Sequence, residues 1–128
     1  MIGYVTLGSN DIGRAAEFYD ALLGEIGAQR FLETEQFVAW SCGPGQTGLS
    51  VTKPFNGEAA TVGNGVMVAL AVDSNDHVDL IYNKALQLGA TDEGAAGPRV
   101  AMPGFYAGYF RDLDGNKLNV FCMAPPAA

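Results

Sequence analysis

The side chains best suited to acid–base, nucleophilic or metal chemistry are few in this chain and stand apart. It has one histidine, His77, and two cysteines, Cys42 and Cys122, in 128 residues. A divalent metal needs imidazole, carboxylate or thiolate groups converging from several elements. His77 lies between Asp76 and Asp79 at the start of a helical pattern, which reads as solvated surface. Glu17, Glu25, Glu33, Glu35, Asp79, Asp92 and Glu93 fall on expected helix surfaces or loops. Asp112 and Asp114 belong to the polar tip "RDLDGNK", where Asp bonds its own backbone. Cys42 has no histidine or basic cluster beside it to raise its thiolate character, so a cysteine nucleophile is unsupported. The two cysteines form no CxxC pair. They read as reduced thiols of a cytoplasmic protein, with a disulfide between them left open.

The elements that would position any site come as a repeat. "YVTL" (residues 4–7) alternates as a strand, and Ser9, Asn10 and Asp11 offer a helix N-cap. Ile12, Ala15, Ala16, Tyr19, Leu22, Leu23 and Ile26 then recur at helical spacing, and Gly27 closes the run. "QFVAWSC" and "GLSVTK" read as strands. The pattern restarts with "VMVALAV" (residues 66–72), then Ser74 as cap and a helix carrying Val78, Ile81, Tyr82, Ala85 and Leu88. Gly89 ends it, and "GFYAGYFRD" and "KLNVFC" form a second hairpin. Both helices end in Gly-Ala, both junctions contain Ser-Asn-Asp, and Leu49-Ser50-Val51 matches Leu118-Asn119-Val120. This predicts one α+β domain over residues 1–128. It is built of two tandem βαβββ modules, about 1–60 and 61–128, with helices near 10–26 and 75–88. The modules form curved mixed sheets around a cavity. The segment "GAAGPRVAMPG" (94–104) reads as a flexible loop able to act as a lid.

Composition narrows the partners. Hydrophobic residues make up 48% and charged residues 16%, too apolar for a disordered chain. The net charge of -7 disfavours nucleic acid and anionic membrane surfaces, and helps a cationic ligand weakly. No apolar run is long enough for a membrane helix, and "MIGYVTLGSND" reads as a first strand, not a signal peptide.

The segments "YVTLGSNDIGRAAEFYDALLG", "MVALAVDS" and above all "GFYAGYFRDLDGNKLNVF" resemble the vicinal oxygen chelate superfamily of glyoxalases, extradiol dioxygenases, and fosfomycin and bleomycin resistance proteins. The resemblance implies a metal held by one side chain on each of four strands: His, Glu or Gln, His, and Glu. Those positions fall here on Tyr4, near Ser50, on Met67 and on Asn119, none of which is a strong ligand. No metal and no cofactor is therefore expected.

With the family's geometry, alternation groups Tyr4 with Thr6, Ser50 with Thr52, Met67 with Ala69, and Asn119 with Phe121. The expected ligand pocket is lined by Tyr4, Trp40, Ser50, Met67, Tyr109 and Asn119, with Lys53 and Arg99 at its rim to meet an anionic group. Tyr4 and Tyr109 are the titratable candidates inside it, and Cys122 points to the helix side. No catalytic residue is assigned. Two functions remain: a metal-independent small-molecule binding protein of the bleomycin-resistance kind, or a glyoxalase-related lyase or isomerase acting on a small oxygenated metabolite. A homodimer is expected, since open sheet edges need covering.

Overall fold

The computed structural model describes residues 1–124; the last four residues of the expected second module lie outside it. The chain folds as two units, Met1–Gly63 and a second from Asn64 onward. The first contains β1 (Tyr4–Gly8), α1 (Ile12–Gly24), β2 (Gln29–Glu33), β3 (Phe37–Ser41) and β4 (Gly48–Thr52). The second repeats the order with β5 (Val68–Ala71), α2 (Asn75–Gln87), β6 (Thr91–Pro98), β7 (Phe105–Arg111) and β8 (Lys117–Met123). Each sheet is mixed and four-stranded, ordered β1-β4-β3-β2 and β5-β8-β7-β6. The outer pairs β1–β4 and β5–β8 are parallel and the others antiparallel. The α+β class and the duplicated βαβββ plan are as the sequence predicts.

Local chemistry explains the helix ends. The Asp11 carboxylate accepts from the Arg14 backbone N–H, and Ser74 Oγ accepts from that of His77, each at 3.1 Å. Each cap contributes about 1 kcal/mol. Gly27 and Gly89 take φ of +88° and +103°, and the next residues, Ala28 and Ala90, donate back to the carbonyls of Leu23 and Ala85.

Each unit has its own core between helix and sheet. In the first, Phe18, Tyr19, Leu22 and Leu23 of α1 are buried with Val38, Trp40, Leu49 and Val51 of the sheet. In the second, Val78, Ile81, Tyr82 and Ala85 of α2 are buried with Phe110, Leu118 and Val120, and Cys122 shares that face. Burying each large apolar side chain stabilises by about 1.5–3 kcal/mol. Gly108 lies under the Tyr82 ring so closely that a Cβ there would sit 2.8 Å from Cδ1.

Two segments depart from expectation. Residues 94–98 are strand, not lid. Gly94 and Gly97 sit at register shifts of β6, opposite Tyr109 and Ala107, and a Cβ on Gly94 would meet the Tyr109 side chain at 3.4 Å. These glycines mark bulges beside a large ring, which composition alone presents as loop. The second-module strand is also shorter than 66–72, and Met67 precedes it.

The "RDLDGNK" tip is held by Asp112, which is buried. Its Oδ1 accepts from the backbone N–H of Asp114 and Asn116, both at 2.9 Å, and its Oδ2 from Asn116 Nδ2 at 3.0 Å. Gly115 supplies the positive φ, +89°.

Candidate functional site

The faces turned away from the helices hold most of the expected site residues. On the first sheet, Tyr4 and Thr6 of β1, Ala39 of β3 and Ser50 and Thr52 of β4 line a cavity of about 340 Å³. Phe31, Leu32 and Phe37 complete its walls. Phe31 and Leu32 are sequence neighbours, which strict alternation would put on opposite faces. The register shift between Arg30 and Leu32 turns both toward the cavity. Ser50 is buried and its hydroxyl pairs with that of Thr6 at 2.8 Å. Tyr4, Phe31 and Leu32 remain largely exposed.

Trp40 is not part of this cavity. It lies one residue along β3 from Ala39, so it points to the opposite face and is 1% exposed. Its ring packs on Tyr19 at 5.7 Å, and Nε1 donates to the Asp20 carboxylate at 2.8 Å. The expectation that Trp40 lines the pocket is corrected: its N–H finds its partner on α1, not in a ligand. Lys53 follows β4 and is exposed. Cys42 borders a second groove beside Gly27 and the 43–46 turn, and both thiols are free.

On the second sheet, Tyr109 and Asn119 are cross-strand partners on the face away from α2, as alternation predicts. Asn119 is 2% exposed, and its Oδ1 has no hydrogen-bond partner. Arg99 and Lys117 both approach the Tyr109 ring, at 5.2 and 5.7 Å from its centroid. Arg111, opposite Lys117, pairs with Glu93 at 2.7 Å. Phe105 and Phe121 stack at 5.5 Å. Met67 stands just ahead of β5 and is 42% exposed. Thr6 lines the cavity beside Tyr4, as alternation groups them, whereas Lys117, Phe31 and Phe37 escaped the sequence reading. Lys117 had a signal, since it shares parity with Asn119; Phe31 sits in "QRFLE", whose charges hide a strand.

The displaced pKa values belong to links between helix and sheet. The Arg30 guanidinium, hydrogen-bonded to Asp20 at 2.6 Å, holds that carboxyl below its usual range. Burial, with the 2.7 Å hydrogen bond to Asp92, pushes the Tyr82 hydroxyl up to about 12. The Asp79 carboxylate raises Tyr106 through a 2.6 Å bond.

Comparison with known proteins settles the family. The family model described as Glyoxalase/Bleomycin resistance protein/Dioxygenase superfamily matches residues 1–120. The chain belongs to this superfamily. A solved glyoxalase/bleomycin resistance protein from Albidiferax ferrireducens is 32% identical, with 98% of this chain and 99% of that one covered and a TM-score of 0.87. A lactoylglutathione lyase from Agrobacterium tumefaciens shares the fold at 23% identity, 95% and 92% coverage and a TM-score of 0.70. A search of curated proteins found no match.

Within the glyoxalase/bleomycin-resistance fold, the metal positions implied by the resemblance do not fit a metal here. Tyr4, Ser50, Met67 and Asn119 offer phenol, hydroxyl, thioether and amide, weak ligands for a divalent transition metal. Ser50 already spends its hydroxyl on Thr6. Among the described residues, no three His, Cys, Asp or Glu side chains gather in a way that would hold a metal ion. No helix among them is long and apolar enough to cross a membrane.

Proposed function

We propose that this superfamily member is a metal-independent small-molecule binding protein, and that the cleft of the first sheet receives an aromatic ligand. The observation that carries this reading is the occupancy of the implied metal positions. Two of them, Tyr4 and Ser50, are instead lining residues of a largely apolar cavity with a few hydroxyls. Its volume lies at the lower end of the range for small-molecule sites. Tyr4, Phe31 and Phe37 supply aromatic surface, worth roughly 0.5–1.5 kcal/mol per good ring pair beyond burial. Thr6, Ser50 and Thr52 supply the few polar groups that orient a guest. The acidic balance gives a cationic aromatic compound a mild advantage. The free thiols fit a reducing, cytoplasmic setting. The exposed edges of both sheets fit a homodimer, which light scattering would check.

The test is a thermal-shift screen of aromatic cations against chelator-stripped protein. Binding should persist in chelator, and Tyr4→Ala and Phe31→Ala should weaken the best hit at least about tenfold, as expected for loss of an aromatic contact and its burial. Stoichiometric metal uptake, with turnover of a small oxygenated metabolite that depends on it, would replace this reading with the lyase or isomerase one.

A further inference from the structure

The second sheet carries a charge pattern opposite to that of the whole chain. Of seven lysines and arginines, Arg99, Arg111 and Lys117 come together on one face of one sheet. Arg111 and Lys117 are direct cross-strand partners, a like-charge pairing that costs stability unless compensated. Glu93 compensates only Arg111. Among the described residues, neither Arg99 nor Lys117 has a carboxylate partner, in a chain with fourteen acids. Arg99 is fixed in place by the carbonyls of Ala95, Gly97 and Pro98, with its guanidinium over Tyr109.

Beside these cations lies the buried, unpartnered Oδ1 of Asn119. The first sheet shows what is missing. There, the register position of Asn119 is held by Ser50, and its β1 partner Thr6 supplies a hydroxyl at 2.8 Å. In the second sheet the β5 partner of Asn119 is Ala69, which is exposed, small and has no hydroxyl. A donor is absent from the place where the other sheet has one.

We infer that this face binds a small organic carboxylate bearing a hydroxyl: Arg99 and Lys117 take the carboxylate beside Tyr109, and Asn119 Oδ1 accepts from the hydroxyl. The apolar part of the ligand lies against Ala69 and Ala71. A carboxylate between two unmatched cations forms charge-assisted hydrogen bonds, and it removes the repulsion between Lys117 and Arg111. This inference stands on the second unit alone and does not depend on the cleft of the first.

Three matched probes separate the contributions: 2-hydroxyisobutyrate, isobutyrate, which lacks the hydroxyl, and 2-methylpropane-1,2-diol, which lacks the charge. Each is titrated into ¹⁵N-labelled protein in low-salt buffer, where charge attraction is least screened. Saturating shifts confined to β5, β7, β8 and the Arg99 turn are expected for the two acids. The hydroxy acid should bind about three- to tenfold more tightly, the value of one satisfied hydrogen bond, and the diol should not saturate. Lys117→Gln and Arg99→Gln should each weaken both acids severalfold. Ala69→Thr, which builds the missing hydroxyl into the protein, should erase the preference for the hydroxy acid while isobutyrate still binds. Equal affinity for the two acids on the natural protein, a diol that binds as well as the acids, or shifts that Lys117→Gln leaves untouched would overturn the inference.

Discussion

The two sheets share one plan and spend it differently. Their registers superpose residue for residue: Thr6, Ser50 and Ala39 correspond to Ala69, Asn119 and Tyr109, while Trp40 and Leu49 correspond to Phe110 and Leu118. On the helix side, large apolar groups fill both positions of the second set. On the other side, the first sheet has a closed hydroxyl pair under aromatic walls, and the second has an unpaired amide beside three cations. The helix faces are conserved by packing, which tolerates no unfilled volume. The opposite faces are free to diverge, and the difference between the units is concentrated there.

The largest test of this correspondence is Trp40. If it is the counterpart of Phe110, Trp40→Leu should cost about 3 kcal/mol or more in urea unfolding, since it opens a cavity and strips Asp20 of a donor. Tyr109→Leu, on the other face, should cost less than about 1.5 kcal/mol. Equal losses would mean that the face assignment is wrong.

Gly108 corresponds to Val38, and the contrast sharpens the comparison. The first sheet accommodates a buried valine at this position, whereas Tyr82 descends onto Gly108. Gly108→Ala should cost about 1–3 kcal/mol by overpacking the ring. An unchanged melting temperature would show that Tyr82 can move aside.

The same correspondence explains what was legible in the sequence. Caps, Gly-Ala helix ends and the Asp112 turn are local, and they are where the residues say. The resemblance implies a pocket-lining place for both Ser50 and Asn119, and both lie on the face turned away from the helices. Trp40 does not line the pocket because matching it to Tyr109 on aromatic character is one residue out of register, and a slip of one residue turns a strand's side chain to the other face. Counting back across the hairpins from the triplets gives Ala39 as the partner of Ser50 instead. Strands β2 and β6 were obscured for different reasons: the charges of "QRFLE", and glycines that serve bulges.

Opposite signs are expected at the paired polar positions. Ser50→Ala breaks the bond to Thr6 and should destabilise by about 0.5–1.5 kcal/mol. Asn119→Leu replaces an unpaired buried amide with an apolar group of similar size, so it should leave the protein equally stable or stabilise it slightly. A clear loss on Asn119→Leu would mean that the amide has a structural partner.

The smallest effect lies in the helix-to-sheet links, and it distinguishes the units by pH. Asp20, held below its usual pKa by Arg30 and Trp40, contributes stability that is present above pH 4 and lost as the carboxyl protonates at lower pH. Both partners are partly exposed, so the contribution is small and weakens in salt. Its guanidinium partner does not titrate in the working range, so this link is insensitive to alkali. The second unit's link is Tyr82 to Asp92, and there the hydroxyl is raised from 10 to about 12. A group raised in the folded state stabilises fully below its unfolded pKa and loses that contribution as pH climbs through the folded one. Asp20→Asn should therefore flatten the acid limb of the stability profile and leave the alkaline limb alone. Tyr82→Phe should flatten the alkaline limb between pH 10 and 12 and, because the same hydroxyl holds the Asp92 carboxyl low, part of the acid limb as well. Melting curves from pH 3 to 12 would expose an error if Asp20→Asn altered the alkaline limb or Tyr82→Phe left it unchanged, because only the second unit's link contains a group that titrates in alkali.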